Sequence, residues 1–274
     1  MPRFKLTLEY AGTRYSGWQI QQNARTVQGE LHAALREATK SARVETYGSG
    51  RTDAGVHALR QVMHVDTAAN VPPASLIMRL NDALPHDINV LAAERVSPRF
   101  HARHSAVARS YLYQISRRRT AFAKPFVWWV REPLDLDAMR AGAVHLTGLT
   151  DFRAFTDDDP DEKSTRVLLE EVVIAEHGAL ILIRVSGSHF LWKMVRRIVG
   201  VLVEVGRGGL KADAVARLLT QDSDLPAKLT APASGLFLER VFYEGEPREH
   251  DLEPAALVHD EQAHAKTPSR EADG

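Results

Sequence analysis

The chain has 274 residues, of which 44% are hydrophobic and 26% charged, and it contains no cysteine. This composition predicts one large or two medium globular domains and excludes a disordered chain. It also excludes a membrane-spanning helix, because no apolar run approaches about 18 residues. The lack of cysteine excludes thiolate nucleophiles, disulfides and iron–sulfur clusters. Because the N-terminus also lacks an apolar signal core, we expect a cytoplasmic protein.

Charge is balanced over the chain but unevenly distributed, with 35 basic and 35 acidic residues. Residues 244–274 hold nine acidic and three basic side chains, which leaves residues 1–243 with a net charge of +6. The stretch 95–131 contains no acidic residue, and it is the predicted polyanion-binding face. Its basic residues are Arg95, Arg99, Arg103, Arg109, Arg117, Arg118, Arg119, Lys124 and Arg131.

The first hundred residues predict a strand–helix–strand–strand–helix–strand order. Phe4, Leu6, Leu8 and Tyr10 alternate with polar residues, which is the period of a half-buried strand. Thr26 precedes apolar residues at helical spacing. This order is the split βαβ pattern of ferredoxin-like and RNA-recognition folds. We expect strands at 4–10, 43–47, 61–65 and 88–95, and helices at 27–39 and 72–84.

A looser version of the same order follows residue 105, with strands predicted at 109–115, 166–176, 179–185 and 236–243 and helices at 134–146 and 190–205. We therefore expect an α+β protein with two ferredoxin-like or RRM-like halves, 1–104 and 105–243. Their mainly antiparallel sheets would lie side by side around a central cleft, which is a common location for a functional site. Residues 244–274 are expected to form an acidic, poorly ordered tail without an apolar face, so truncation after Tyr243 is expected to be tolerated.

The most specific local signal is the stretch Gly48-Ser49-Gly50-Arg51-Thr52-Asp53-Ala54-Gly55, which lies between two predicted strands. Its glycines permit a tight turn that presents Arg51 and Asp53 from a rigid base. An ordinary turn is the alternative, since Asp-Ala-Gly is common turn chemistry. A phosphate-binding P-loop is disfavoured, because the segment lacks a Gly-Lys-Ser/Thr ending and leads into a strand.

Residues 51–58 resemble the signature of TruA-type pseudouridine synthases, and the resemblance extends from about residue 9 to residue 243. Residues 17–19 and 26–31 are similar to the family's opening, and 100–103 with 108–113 resemble its second motif. Residues 187–196 resemble its third motif and 231–236 its last. The resemblance implies isomerisation of uridine to pseudouridine in tRNA, at uridines 38 to 40 of the anticodon stem-loop. It also implies a homodimer and no cofactor.

The resemblance implies a role for five residues. Asp53 is the catalytic nucleophile, Arg196 is its ion-pair partner, and Tyr111 stacks on the uracil near the C5 proton. Arg51 fills the place of the flipped base, and Leu236 packs against that base. A carboxylate suits this chemistry, because the reaction needs a nucleophile that can attack C6 or C1′ and leave again. From spacing alone, a packed strand tyrosine is the commoner interpretation of Tyr111, and a core leucine is an equal alternative for Leu236.

Six basic side chains are expected to contact RNA: Arg103, Arg109, Arg117, Arg118, Arg119 and Lys193. The run 117–119 has an alternative interpretation as a solvated turn. The loop from Thr156 to Glu162 contains four aspartates and is unexpectedly acidic for a segment beside an RNA-binding cleft.

Three other functions stay open at this point: a non-catalytic RNA-binding module of the same fold, a pseudouridine synthase acting on a different RNA, and a metal-dependent hydrolase. His101 and His104 form a His-x-x-His pair, and His57 and His64 lie near the glycine-rich motif. No carboxylate lies within the basic stretch to complete a coordination sphere, so no metal is expected.

Overall fold

In the part of the chain that the structure describes, ten strands form one sheet, and helices pack against it. The structure is a computed structural model and describes residues 1–259. None of the helices in this range is long and apolar enough to cross a membrane. The strands are β1 (Arg3–Tyr10), β2 (Val44–Gly48), β3 (His57–Thr67), β4 (Ile88–Val96), β5 (Ala106–Ser116), β6 (Trp128–Trp129), β7 (Gly148–Asp151), β8 (Arg166–His177), β9 (Leu180–Gly187) and β10 (Leu236–Tyr243). The helices are α1 (Val27–Thr39), α2 (Pro73–Ala83), α3 (Leu136–Val144), α4 (Met194–Gly206), α5 (Ala214–Leu218) and α6 (Leu225–Lys228).

The strand order is β4-β1-β3-β10-β5-β9-β8-β7, with β2 also paired to β3 and β6 to β5. The order β4-β1-β3-β2 in the first half matches β10-β5-β9-β8 in the second, and each is the order of a split βαβ unit. All pairings are antiparallel except β3 with β10 and β5 with β6. The predicted α+β class with two such halves side by side is confirmed.

The longer elements form where the sequence predicts them. The side chains of β1 alternate between partly exposed and buried along the whole strand. The Thr26 side chain caps α1 by accepting a hydrogen bond from the Gly29 amide at 3.2 Å. Helix α4 begins at Met194 and not at the predicted residue 190, because Lys193 adopts a left-handed conformation with φ 61°, which cannot continue a helix. The short elements β6, β7, α5 and α6 were not predicted.

The glycine-rich motif lies at the junction of the two halves. The edge of β3 is shared, because β2 pairs with its residues 63–67 while β10 pairs in parallel with His57 and Ala58. Residues 49–56 leave the end of β2 and return at the start of β3. The loop that carries Asp53 therefore lies where the first half meets the second.

Two apolar cores lie beneath the helices and a third, smaller cluster lies elsewhere on the sheet. The first core packs α1 and α2 on strands of the first half, and the second packs α3 and α4 on strands of the second half. Strand β10 contributes to both cores, through Leu236 to one and Leu238 to the other. The third cluster is built on Leu112, Leu180, Leu182 and Phe237, which come from β5, β9 and β10.

Residues 244–259, part of the predicted poorly ordered tail, make contacts that the sequence did not predict. The Arg184 guanidinium donates to the carbonyl oxygens of His250 and Asp251, at 2.9 and 2.7 Å. The Ala255 amide donates to the Gln114 side chain at 2.6 Å, and Val258 is buried in the third cluster. We call residues 247–259 the strap. The apolar residues of the strap do not follow the spacing of a helix or a strand. A few of them are nevertheless enough to cover part of the third cluster. The predicted tail residues 260–274 lie outside the described residues.

Candidate active site

A cavity of about 720 Å³ opens at the junction of the halves and is lined by residues of both. Among its walls are eight of the eleven residues that the sequence identifies as site residues: Arg51, Asp53, Arg103, Arg109, Tyr111, Lys193, Arg196 and Leu236. The structure therefore brings together the glycine-rich motif, the middle of β5, the start of α4 and the start of β10.

The loop that carries Asp53 is braced by buried side chains of neighbouring strands. Gln61 on β3 accepts a hydrogen bond from the Ser49 hydroxyl at 2.7 Å and donates to the Gly50 carbonyl at 3.2 Å. The hydroxyl groups of Tyr10 and Thr52 lie 2.8 Å apart. These bonds satisfy polar groups of residues 49–52, on the N-terminal side of Asp53, so the carboxylate is presented from a fixed backbone.

Two glycines allow this loop to approach the segment 12–18. The Trp18 amide donates to the Thr52 carbonyl at 3.0 Å. Gly17 has φ +93°, and a Cβ at that position would lie 2.7 Å from the same carbonyl oxygen. Gly55 has φ +79°, a conformation that a side chain disfavours. Both positions therefore require glycine: Gly55 within the predicted turn and Gly17 in the segment that packs against it.

Asp53 and Arg196 face each other in the cavity. The Nη1 of Arg196 lies 3.7 Å from Oδ2 of Asp53, and the two side chains are 18% and 28% exposed. The Arg196 Nε donates to the Ala231 carbonyl at 2.7 Å, which fixes the guanidinium beside the carboxylate. Burial raises the pKa of Asp53, and the charges of Arg196 and Lys193 lower it without cancelling the effect of burial. Arg196 therefore favours an ionised carboxylate in a site that disfavours charge.

Tyr111 and Leu236 form an apolar wall of the same cavity. Tyr111 lies opposite Leu238 on β10 and Val185 on β9, and its ring packs edge-to-face on Phe190 with the ring centroids 4.9 Å apart. Burial raises the pKa of Tyr111 to about 12, so its hydroxyl is protonated at neutral pH. Leu236 is 5% exposed and belongs both to the core and to the cavity wall. An aromatic ring and a leucine are suited to holding a flat base.

The segment before α4 brings Trp192 and Lys193 to the rim of the cavity. The Lys193 Nζ lies 4.7 Å from the centroid of the exposed Trp192 ring. It also lies 2.7 Å from Oδ2 of Asp157, in the acidic loop, which we define as residues 156–163. The Trp192 side chain, like that of Lys193, lowers the pKa of Asp53. Lys193 is thus at the predicted place but is already paired with a carboxylate.

The arginines of the cavity differ in how far their guanidinium groups are occupied. Arg51 and Arg103 are exposed, and neither guanidinium has a partner among residues 1–259. Arg109, in contrast, donates four hydrogen bonds, at 2.8 to 3.3 Å, to carbonyl oxygens of the protein. These carbonyls belong to Ala106, Ser188, Ser49 and Arg103. Arg109 therefore ties the motif loop to β9 and to the segment after β4.

The run 117–119 is not brought to this cavity. The Arg117 side chain pairs with Glu176 at 3.2 Å and donates to the Gly178 carbonyl at 2.5 Å. The Arg118 side chain donates to the carbonyl of His259, in the strap, at 2.8 Å. None of the three arginines lines the cavity between the halves.

The histidines that the sequence placed near the motif are bonded to backbone groups. The ring of His57 accepts from the Gly12 amide at 3.0 Å and its other nitrogen lies 3.0 Å from the Pro125 carbonyl. His64 accepts from the Ala102 amide, and burial lowers the pKa of His64 to about 4. His101 accepts from the amides of Arg103 and His104. Within residues 1–259 no three metal-ligating side chains converge.

Sequence reasoning missed the groups that support the catalytic candidates. Gln61, Phe190 and the Ala231 carbonyl have no chemical signature of their own, because they act by contact with residues distant in sequence. Trp192 had one available signal, since it directly precedes the predicted basic residue Lys193 and lies four residues before Arg196.

Comparison with known proteins identifies the family of this chain. The sequence model of the family described as tRNA pseudouridine synthase matches residues 7–105 and 143–244. The chain is 44% identical over 246 residues to tRNA pseudouridine synthase A of Nitrobacter hamburgensis, covering 89% of this chain and 100% of the relative. It is 41% identical over 247 residues to that of Moorella thermoacetica, with coverage of 89% and 100%. For Myxococcus xanthus the identity is 42% over 250 residues, with coverage of 90% and 94%. The chain therefore belongs to the tRNA pseudouridine synthase A family and is an isomerase.

Proposed function

We propose that this chain converts uridines 38 to 40 of the tRNA anticodon stem-loop to pseudouridine, with Asp53 as nucleophile and without a cofactor. The observation that carries the proposal is the pairing of Asp53 with Arg196 inside a cavity that also holds Tyr111. The choice of these uridines rests on the family resemblance.

The chemistry of the proposal balances without an external reagent. The Asp53 carboxylate attacks C6 of the uracil or C1′ of the ribose, and the N1–C1′ bond breaks. The base turns, C5 bonds to C1′, the C5 proton leaves and N1 gains a proton as the carboxylate is released. Arg196 supports the first step, because it favours the charged, nucleophilic form of Asp53.

The walls of the cavity suit a base that has left its helical stack. Tyr111 offers an aromatic face for the uracil, and Leu236 packs on the base from β10. Arg51 has an exposed guanidinium without a partner in the described chain, so it is free to fill the space that the base vacates. We assign Arg109 a positioning role, since its donors are taken by protein carbonyls.

Four further parts of the proposal rest on composition, element order and resemblance: the homodimer, the cytoplasmic location, the two domains and the RNA contacts. The chain acts as a homodimer in the cytoplasm, and it comprises two domains, 1–104 and 105–243. The repeated strand order supports the domain division, and the contribution of β10 to both cores joins the two domains tightly. Arg103 and Lys193 contact RNA phosphates at the rim of the cavity.

Replacement of Asp53 by Asn tests the proposal, because it preserves size and turn preference and removes the charge. Turnover should fall by several powers of ten, while tRNA affinity should change by less than about tenfold. Tritium release from C5-labelled tRNA and a filter-binding titration measure the two quantities. The matched control is Asp158→Asn, a carboxylate on the same cavity wall without an Arg196 contact, which should keep turnover within about tenfold.

The site of modification needs a separate measurement. Pseudouridine mapping in tRNA from cells that lack the gene should show loss at positions 38 to 40. Loss at other positions or in another RNA would keep the reaction and reject the proposed substrate. Turnover above a few per cent in Asp53→Asn would reject the nucleophile. A wild-type protein that binds tRNA without releasing tritium would favour the non-catalytic RNA-binding alternative.

A further inference from the structure

The acidic loop is fastened to the segment that opens α4. Arg197 is buried, its Nη1 donates to the Thr156 carbonyl at 2.6 Å, and its Nη2 bonds Oδ1 of Asp157. The other oxygen of that carboxylate, Oδ2, accepts from Lys193 at 2.7 Å. Asp158 accepts from the Trp192 amide at 3.1 Å. The acidic loop therefore holds Trp192 and Lys193, which line the cavity.

The two oxygens of Asp157 differ in how easily the contacts that they make with Arg197 and Lys193 can be broken. The Arg197 side chain is 5% exposed, and it is held by a backbone carbonyl as well as by Asp157. Lys193 and Asp157 are both 34% exposed, and the Lys193 Nζ has no other acceptor in the described chain. A partly exposed ammonium pair costs little to break, whereas the buried guanidinium contact resists it.

We propose that the Asp157 carboxylate occupies the place of an RNA phosphate on Lys193, and that tRNA binding exchanges one anion for the other while Arg197 retains the loop. The inference rests on the proposed function, because it requires RNA to cross the rim of this cavity. Asp157 is thereby a specificity-determining residue. Only an RNA whose other contacts fit the cavity gains enough binding free energy to displace the Asp157 carboxylate. An unrelated polyanion lacks those contacts, so it meets a Lys193 that Asp157 has already neutralised.

The exchange has a distinctive salt dependence. A phosphate that binds a free lysine releases its condensed cation, which makes binding weaken by about 0.7–0.9 log units per log unit of salt. When the phosphate displaces Asp157 from Lys193, the Oδ2 oxygen of Asp157 loses its ammonium partner and attracts a cation from solution in return. The two effects nearly cancel, so the Lys193 contact should add almost nothing to the salt slope of the wild-type protein.

The first measurement compares tRNA affinity of the wild type and Lys193→Gln across a salt series by filter binding. The exchange predicts a salt slope within about 0.3 of the wild type, together with an affinity about two- to fivefold lower. A slope flatter by about 0.7–0.9 would show that Lys193 meets the phosphate as a free cation and would overturn the exchange.

The second measurement uses Asp157→Asn, which keeps an oxygen for Arg197 and leaves Lys193 uncompensated. The slope should steepen by about 0.7–0.9, and affinity at low salt should rise about two- to fivefold for tRNA and for an unrelated RNA duplex. Asp161→Asn is the matched control, because it removes the same charge from the same loop and its carboxylate has no partner within residues 1–259. It should leave the slope unchanged.

Equal changes of the salt slope in Asp157→Asn and Asp161→Asn would show that the acidic loop acts only through its overall negative charge. That result would overturn the proposal. If Asp157→Asn unfolds, the Lys193→Gln series decides alone. These readouts are independent of turnover. An active Asp53→Asn enzyme would reject the nucleophile without altering the salt slopes, and contrary slopes would reject the exchange in an enzyme that still forms pseudouridine.

Discussion

Arg196 lies between two partners, with its Nη1 3.7 Å from Oδ2 of Asp53 and its Nε 2.7 Å from the Ala231 carbonyl oxygen. The carbonyl contact is the shorter of the two, so the backbone before β10 sets where the positive charge lies. The gap to Asp53 leaves the carboxylate oxygen accessible. Arg196 is therefore a charged partner that leaves the Asp53 carboxylate open to the cavity.

Arg196→Gln should shift the pH dependence of catalysis, because the amide still donates to Ala231 but carries no charge. Arg196 lowers the pKa of Asp53 against the effect of burial, so its loss raises that pKa further. We expect the acidic limb of kcat/KM to move to higher pH and turnover to fall about 100-fold. Arg51→Gln is the control, since Arg51 forms no ion pair in the described chain, and its acidic limb should stay in place. An unmoved limb in Arg196→Gln would contradict the pairing.

Asp53→Asn should stabilise the fold at neutral pH. Because the pKa of Asp53 is raised in the folded protein, ionisation of this carboxyl lowers the free energy of unfolding. That cost is absent below the unfolded carboxyl pKa of about 4 and develops as the pH rises through the folded value. We expect Tm to rise by about 1–2 °C at pH 7 and to be unchanged near pH 4, as measured by thermal unfolding.

Asp66→Asn is the control of opposite sign for this measurement. The hydrogen bonds from Arg3, at 2.6 and 2.8 Å, hold the pKa of Asp66 below its usual value. Its charge therefore contributes stability above the unfolded pKa, and the amide should lower Tm at pH 7. A fall in Tm for both variants would mean that Asp53 stabilises its loop as a turn residue.

Truncation after Tyr243 should destabilise the protein, in contrast to the expectation from sequence. The cut removes two acceptors of Arg184, which is buried with Glu239, and exposes part of the third cluster around Val258. We expect a loss of about 2–4 kcal/mol in the free energy of unfolding, measured by urea denaturation. Truncation after His259 keeps all these contacts and is the control. Equal stability of the two truncated chains would show that the strap contributes nothing.

Arg103 and the run 117–119 should differ in their effect on RNA binding. Arg103 lines the cavity with an unoccupied guanidinium, so Arg103→Gln should flatten the salt slope of tRNA binding by about 0.7–0.9. Joint replacement of Arg117, Arg118 and Arg119 by Gln should leave the slope nearly unchanged, because two of them bind protein groups away from the cavity. A larger change from the triple replacement would place RNA on that side of the sheet.

The sequence by itself determined the longer elements and identified the candidate reacting groups. Alternation in β1, the capping threonine of α1 and the glycines around Asp53 are local signals, because they depend on backbone geometry within a few residues. Motif resemblance selected Asp53, Tyr111 and Arg196, and the structure brings all three to one cavity. These residues carry their chemistry in their side chains, so a sequence displays them directly.

Only the tertiary structure decided what those side chains contact. The sequence predicts that Arg109 and Arg118 contact RNA, but in the folded protein backbone carbonyls accept hydrogen bonds from both. It shows Asp157 as an acidic residue out of place, whereas the fold sets it between Lys193 and Arg197. Residues 247–259 show no periodic spacing of apolar residues, whereas in the fold Val258 is buried in the third cluster. The physical reason is the same in each case: charge and hydrophobicity belong to a residue, but their free energy depends on partners distant in sequence.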